Sequence, residues 1–182
     1  HTPVYWPLVL LFCVVLRAGH LRTAAILLAM LVVSRTTMLT LVPVFFIHLY
    51  AKRSLTASVV LCFAASLVIV MGPFVIADPL AVWQGVYEQY QTAVKDYAWY
   101  HTNAGLLSYG VTGWLLSYHL ERFASRVQLV ALALTYGLTW LAARKGRPPE
   151  PWMGLALLAF CATSIWPVTY LYFDVWIFYA SG

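Results

Sequence analysis

Leu55 to Ala77 reads LTASVVLCFAASLVIVMGPFVIA, and no charged residue interrupts the chain between Arg53 and Asp78. About 20 helical residues cross the roughly 30 Å hydrocarbon core of a bilayer, so this run is long enough to span one alone. Basic residues, Lys52-Arg53, close it on one side, and Asp78-Pro79 closes it on the other. Outward from it, further apolar runs occupy Tyr5 to Leu16, Thr23 to Ser34, Thr36 to Ala51, Val127 to Ala143 and Trp152 to Phe173. Of these only the last is again comfortably long enough to span alone. Lipid satisfies no open sheet edge, and the alternating pattern of a barrel strand is missing. The expected fold is an all-α integral membrane protein: a polytopic helical bundle with short paired helices, and interfacial helices in one large external segment.

Composition agrees. The chain is 63% hydrophobic and 9% charged, with a mean hydropathy of +0.80, where a soluble domain carries roughly 25% charged residues. The 182 residues leave room for one transmembrane domain and no separate soluble one. Neither a charged leader nor a small-residue cleavage site precedes the first apolar run, and Gly182 directly follows another. A fragment of a longer polypeptide is therefore expected. Cys13, Cys62 and Cys161 stand isolated in apolar runs and read as small hydrophobes, with no spacing for metal or redox work.

The formal charge of +5 is not a nucleic-acid signature, because the cations sit in short clusters between apolar runs. Arg17 with Arg22, Lys52 with Arg53, and Arg144 with Lys145 and Arg147 account for seven of the eleven. The positive-inside rule assigns all three clusters to the cytoplasm. Thr23 to Ala51 must then go out and come back, turning near Ser34-Arg35-Thr36, with Arg35 on the outer side. A single long helix would instead hold Arg35 at mid-bilayer, at a cost of about 3 kcal/mol on insertion scales. Leu55 to Ala77 runs outward, Val127 to Ala143 returns, and Trp152 to Phe173 runs outward again. Residues from about 78 to 126 form the external segment.

Within that segment, Asp78-Pro79 has the form of an N-cap followed by proline at the first helical position. Trp83, Val86, Tyr87, Tyr90 and Val94 recur at helical spacing opposite Gln84, Glu88, Gln91 and Lys95, which predicts an interfacial helix. Asp96 to Asn103 is a polar and aromatic loop, and Leu106 to Tyr118 a short, glycine-containing re-entrant or interfacial stretch. Aromatic rings suit the apolar faces of sugars, and Arg or Lys suits a phosphate. The substrate-binding candidates are Arg35, Lys95, Tyr97, Trp99, Tyr100, His101, Asn103 and Arg122. The plainer alternative is an aromatic belt with loop charges paired to one another. Glu121 with Arg122 and Arg126 is either a phosphate site or a surface ion pair, and Asp174 reads as an acid at the outer boundary. No nucleophile motif, metal-ligand spacing or nucleotide fingerprint is present, so no metal or cofactor is expected.

Three stretches resemble the C-terminal half of polytopic glycosyltransferases of the C superfamily, especially bacterial family-87-like and mannosyltransferase-type proteins. Ser34 to Pro43 with the Lys52-Arg53 turn is similar to their cation, short apolar run, proline and basic loop, although Lys is commoner there than Arg35. Gly72 to Trp83 is similar to their helix end, Asp-Pro turn and interfacial helix, and Ser164 to Phe178 to their aromatic-rich closing helix. The resemblance covers most of the chain by order and spacing. It implies transfer of a sugar from a polyprenyl-phosphate donor to a glycan or lipid acceptor on the outer face of the membrane. It also implies a multi-pass protein of the bacterial inner membrane and cell envelope. The usual acidic base lies in a first external loop that these residues do not include, so the catalytic residue is expected outside them. A transporter or assembly subunit without catalysis, and a polysaccharide ligase or polymerase, are the alternatives.

Overall fold

A computed structural model describes residues 2–85, 120–164 and 171–181, together with Val111, Trp114, Leu115 and Tyr118. Among them the chain is helical and has no strand. The elements are α1 (Thr2–Arg17), α2 (Leu21–Ser34), a 3-10 turn (Thr36–Thr40) running into α3 (Leu41–Ala51), α4 (Ala57–Ala77) and α5 (Pro79–Trp83). A second 3-10 turn (Glu121–Phe123) leads into α6 (Ala124–Arg144), followed by α7 (Glu150–Thr163) and α8 (Leu171–Ser181).

The α1–α2, α3–α4 and α6–α7 turns explain the clustering of the cations. Each preceding helix ends in the same paired backbone motif, in which a residue with positive φ lets two amides reach back to orphaned carbonyls. At the end of α1, Gly19 (φ 77°) donates to Leu16 at 3.1 Å and His20 to Val15 at 3.2 Å. At the end of α6, Gly146 (φ 75°) donates to Ala143 at 3.0 Å and Arg147 to Ala142 at 3.1 Å. At the end of α3, Arg53 (φ 55°) fills the position, donating to Tyr50 at 3.0 Å while Ser54 donates to Leu49 at 2.9 Å.

These turns share one end of the bundle. Arg17, Gly19, Leu21, Lys52, Ser54, Gly146 and Glu150 line one cleft, and Arg17 Nε donates to Glu150 Oε1 at 2.9 Å. The three basic clusters therefore lie together. The chain does turn at Arg35, which is extended (φ −157°, ψ 114°) between α2 and the 3-10 turn. By rise per residue, α2 is roughly 21 Å long and the 3-10 turn with α3 roughly 26 Å.

The core lies between α1, α2, α3, α7 and α8. Val9, Phe12, Leu28, Leu31, Met38, Leu41, Phe45, Met153, Leu157 and Phe178 are buried in it. Phe12, Phe45, Phe46 and Phe63 form a chain of rings with centroids 5.3 to 6.3 Å apart, which carries packing from α1 through α3 to α4. Hydroxyls inside α6 and α7 return to their own helices: Thr135 to Ala131 O, Thr139 to Thr135 O and Thr163 to Ala159 O, at 2.6 to 2.8 Å. Such internal pairing is what a site without water requires.

By length and composition, α4 and α6 are the two helices that could cross a membrane. α4 packs mainly on α2 and leaves Leu61, Val68, Ile69, Phe74 and Ile76 exposed; α6 does the same with Leu129, Val130, Leu134, Leu138 and Leu141.

Two expectations need correction. The helix expected from Val127 starts earlier, at Ala124, because the 3-10 turn after Leu120 nucleates it. The run from Trp152 to Phe173 is not one span. α7 stops at Thr163, and Ser164 is extended (ψ 150°). Pro167 stands four residues after Thr163 and has no N–H for that carbonyl, so a helix through it is costly. α8 instead packs beside α7 in the opposite direction, where Gly154 faces Phe178 and Tyr179; a Cβ at Gly154 would come within 3.1 Å of the Tyr179 ring.

α5 begins as expected. Asp78 Oδ1 accepts the Ala81 amide at 2.9 Å, and Pro79 occupies the first turn. Asp78→Ala should therefore lower thermal stability by on the order of 1 kcal/mol through the lost cap. An unchanged melting temperature in Asp78→Ala would show that the cap contributes nothing to stability.

Candidate functional site

Arg35 sits at the end of the bundle opposite the basic turns. α2 runs from the basic cleft to Ser34, and the next turn of chain starts the return leg, so residue 35 falls at the reversal. Ser34 Oγ donates to Leu31 O at 2.8 Å and Arg35 N to the same carbonyl at 3.0 Å, which seals the end of α2 and leaves the Arg35 backbone extended.

The side chain is half-buried. Its guanidinium carbon stands 5.3 Å from the centroid of the Tyr5 ring, on α1. A cation over an aromatic face is attracted by the ring quadrupole. Tyr5 was not legible as a partner of Arg35; the only signal was its place at the end of α1 away from Arg17.

Other polar groups belong to the same end. Thr37, two residues past Arg35, has a buried hydroxyl oxygen. Gln128 lies near the start of α6, and Thr163 and Ser164 at the end of α7; all three are buried. The α7 helix packs on the Thr36–Thr40 turn, and Tyr136 of α6 donates to Thr40 O at 3.2 Å, which ties α6 and α7 to the segment after Arg35.

Arg122 is exposed, with its guanidinium carbon 4.9 Å from the Phe123 centroid, and Arg126 approaches the same ring at 5.8 Å. Two cations thus flank one aromatic ring at the start of α6, at the same end as Arg35. Lys95, Tyr97, Trp99, Tyr100, His101 and Asn103 lie outside the described residues. No group of three or more metal-ligating side chains occurs among the described residues.

The opposite end holds what the sequence did not disclose. Glu150 is 1% exposed and pairs with Arg17, while His48 is also buried beside the cleft. Glu150 is one of six acids and stands between Pro149 and Pro151 at a helix start. An acid held inside a basic turn was the available signal.

No protein family, curated protein or solved structure matches the chain.

Proposed function

We propose that this chain is the donor-binding part of a membrane glycosyltransferase, one that moves a sugar from a polyprenyl-phosphate donor to an acceptor on the outer membrane face. Arg35 carries the proposal: a half-buried cation at a helix break, stacked on Tyr5, at the end away from the basic turns. A guanidinium so held can give two parallel hydrogen bonds to phosphate oxygens. It offsets the charge that grows on a lipid phosphate as the glycosidic bond breaks. Arg122 and Arg126 add positive potential at that end. No described residue is assigned to deprotonation of the acceptor hydroxyl.

Membrane embedding is supported by the exposed apolar faces of α4 and α6, since a monomeric soluble protein rarely exposes contiguous apolar patches beyond a few hundred Å². On the positive-inside rule the end with Arg17, Lys52 and Arg144 faces the cytoplasm and Arg35 faces out. Cysteine labelling in intact cells should place residues 52 and 144 inside and residue 100 outside. A common side for residues 52 and 100 would overturn the topology. The function is tested in membranes containing the full-length protein, by following sugar release from a labelled polyprenyl-phosphate donor. Release that depends on Arg35 supports the proposal, and release at the wild-type rate without Arg35 ends it.

A further inference from the structure

The cleft at the basic end has a volume of about 560 Å³, within the roughly 300 to 1,000 Å³ range of small-molecule sites. Its walls mix two kinds of side chain. Leu16, Leu21 and Leu49 are apolar, while Arg17, His48, Lys52, Ser54 and Glu150 are polar or charged.

The charges are not all matched within the protein. Arg17 Nε binds Glu150 Oε1 at 2.9 Å, which neutralises that pair. The second carboxylate oxygen, Glu150 Oε2, is buried and receives no hydrogen bond. Lys52 lies on the same cleft, exposed, and makes no ion pair among the described residues. A complementary ligand must therefore bring a hydrogen-bond donor to a buried carboxylate oxygen and an anionic acceptor to an ammonium. A simple anion meets only the second demand, and would also face the Glu150 charge. A simple cation meets only the first.

We infer that this cleft binds the aminoethyl phosphate headgroup of a membrane phospholipid, its ammonium on Glu150 Oε2 and its phosphate at Lys52. A lipid fits better than a free phosphate ester because apolar surface leads to the cleft. Leu10, Leu11 and Val14 are exposed along α1 as it approaches Arg17, and acyl chains can lie on that surface while the headgroup enters between Leu16, Leu21 and Leu49. The inference needs the bundle to be membrane-embedded, which cysteine labelling measures separately, and it is independent of sugar transfer.

Two headgroups of equal net charge discriminate. Choline phosphate is also zwitterionic, but its quaternary nitrogen has no N–H to give to Glu150. The full-length protein, purified in a maltoside detergent, is titrated with dihexanoyl phosphatidylethanolamine, phosphatidylcholine and phosphatidylglycerol and with free aminoethyl phosphate, and binding is read by native mass spectrometry. Phosphatidylethanolamine should bind about ten-fold more tightly than phosphatidylcholine, the worth of one charge-assisted hydrogen bond. Lys52→Ala, at an exposed position that leaves the core intact, should lower that affinity by about ten-fold. Glu150→Gln should erase the preference over phosphatidylcholine. Equal binding of the two zwitterionic lipids by the wild-type protein overturns the inference, as does unchanged affinity in Lys52→Ala. Phosphatidylglycerol binding as tightly as phosphatidylethanolamine shows that net charge is being read, and rejects the ammonium contact. Free aminoethyl phosphate matching the lipid rejects the lipid source.

Discussion

Arg17→Met is expected to destabilise the bundle by roughly 2 to 3 kcal/mol, and the double replacement Arg17→Met with Glu150→Leu to recover most of the loss. Glu150 is 1% exposed and its Oε1 rests on Arg17. Without the guanidinium, a buried carboxylate is left with neither oxygen hydrogen-bonded, the situation in which breaking a buried ion pair costs about 3 to 5 kcal/mol. The lower figure applies because Arg17 is 49% exposed and water screens part of the attraction. Leu at residue 150 fills similar space without needing a partner. The comparison is made by reversible unfolding in detergent or bicelles. An additive double variant, as unstable as the two single losses summed, would show that the pair is not formed in the folded protein.

On the proposed function, Arg35→Gln should weaken use of a polyprenyl-phosphate donor by roughly 2 to 3 kcal/mol, with thermal stability little changed. The glutamine amide is shorter than the arginine side chain and has neither its charge nor its fork of donors. Arg35→Lys restores charge as a point, without two parallel hydrogen bonds, so it should also be felt, though less. Tyr5→Leu keeps the apolar contact of α1 and removes the ring face 5.3 Å from the guanidinium; it should cost about 1 kcal/mol of donor use by letting the cation wander. The measurements are kcat/KM for the donor and Tm for each variant. A fall in Tm that matches the lost turnover would return Arg35 to a purely structural role, and wild-type turnover in Arg35→Gln would remove the phosphate contact altogether.

The reversal at Arg35 and the gathering of Arg17, Lys52 and Arg144 at one end were legible because charge is costly in apolar runs and so marks where chains turn. The Asp78 cap was legible for a local reason: side chain, amide and proline lie within three residues. What lay beyond the sequence was long-range. Nothing near Glu150 names Arg17, 133 positions away, and nothing near Arg35 names Tyr5. The break at Ser164 had a signal in Pro167, but hydropathy averaged over a long run outweighed it. Gly19 and Gly146 have the residue type that positive φ favours, whereas Arg53 gave no hint that it shares their conformation. The aromatic and polar candidates from Lys95 to Asn103 stand on composition alone, and so does their part in the candidate site.

The left-handed backbone at Arg53 sets two demands against each other. With φ at 55°, a side-chain-bearing residue gives up on the order of 1 kcal/mol relative to glycine. Arg53→Gly should therefore yield a more stable folded protein once it is assembled. The same change strips one of two adjacent cations from the loop that precedes Leu55 to Ala77, and during insertion such charges decide which way a segment is threaded. A glycine at residue 53 would then give a mixed population: molecules oriented correctly, harder to unfold than the parent, alongside a fraction inverted from birth. With the basic turns in the cytoplasm as proposed, orientation would be chosen once, before the final packing exists to be stabilised, and the strained arginine would be the form in which that early choice persists in the finished bundle.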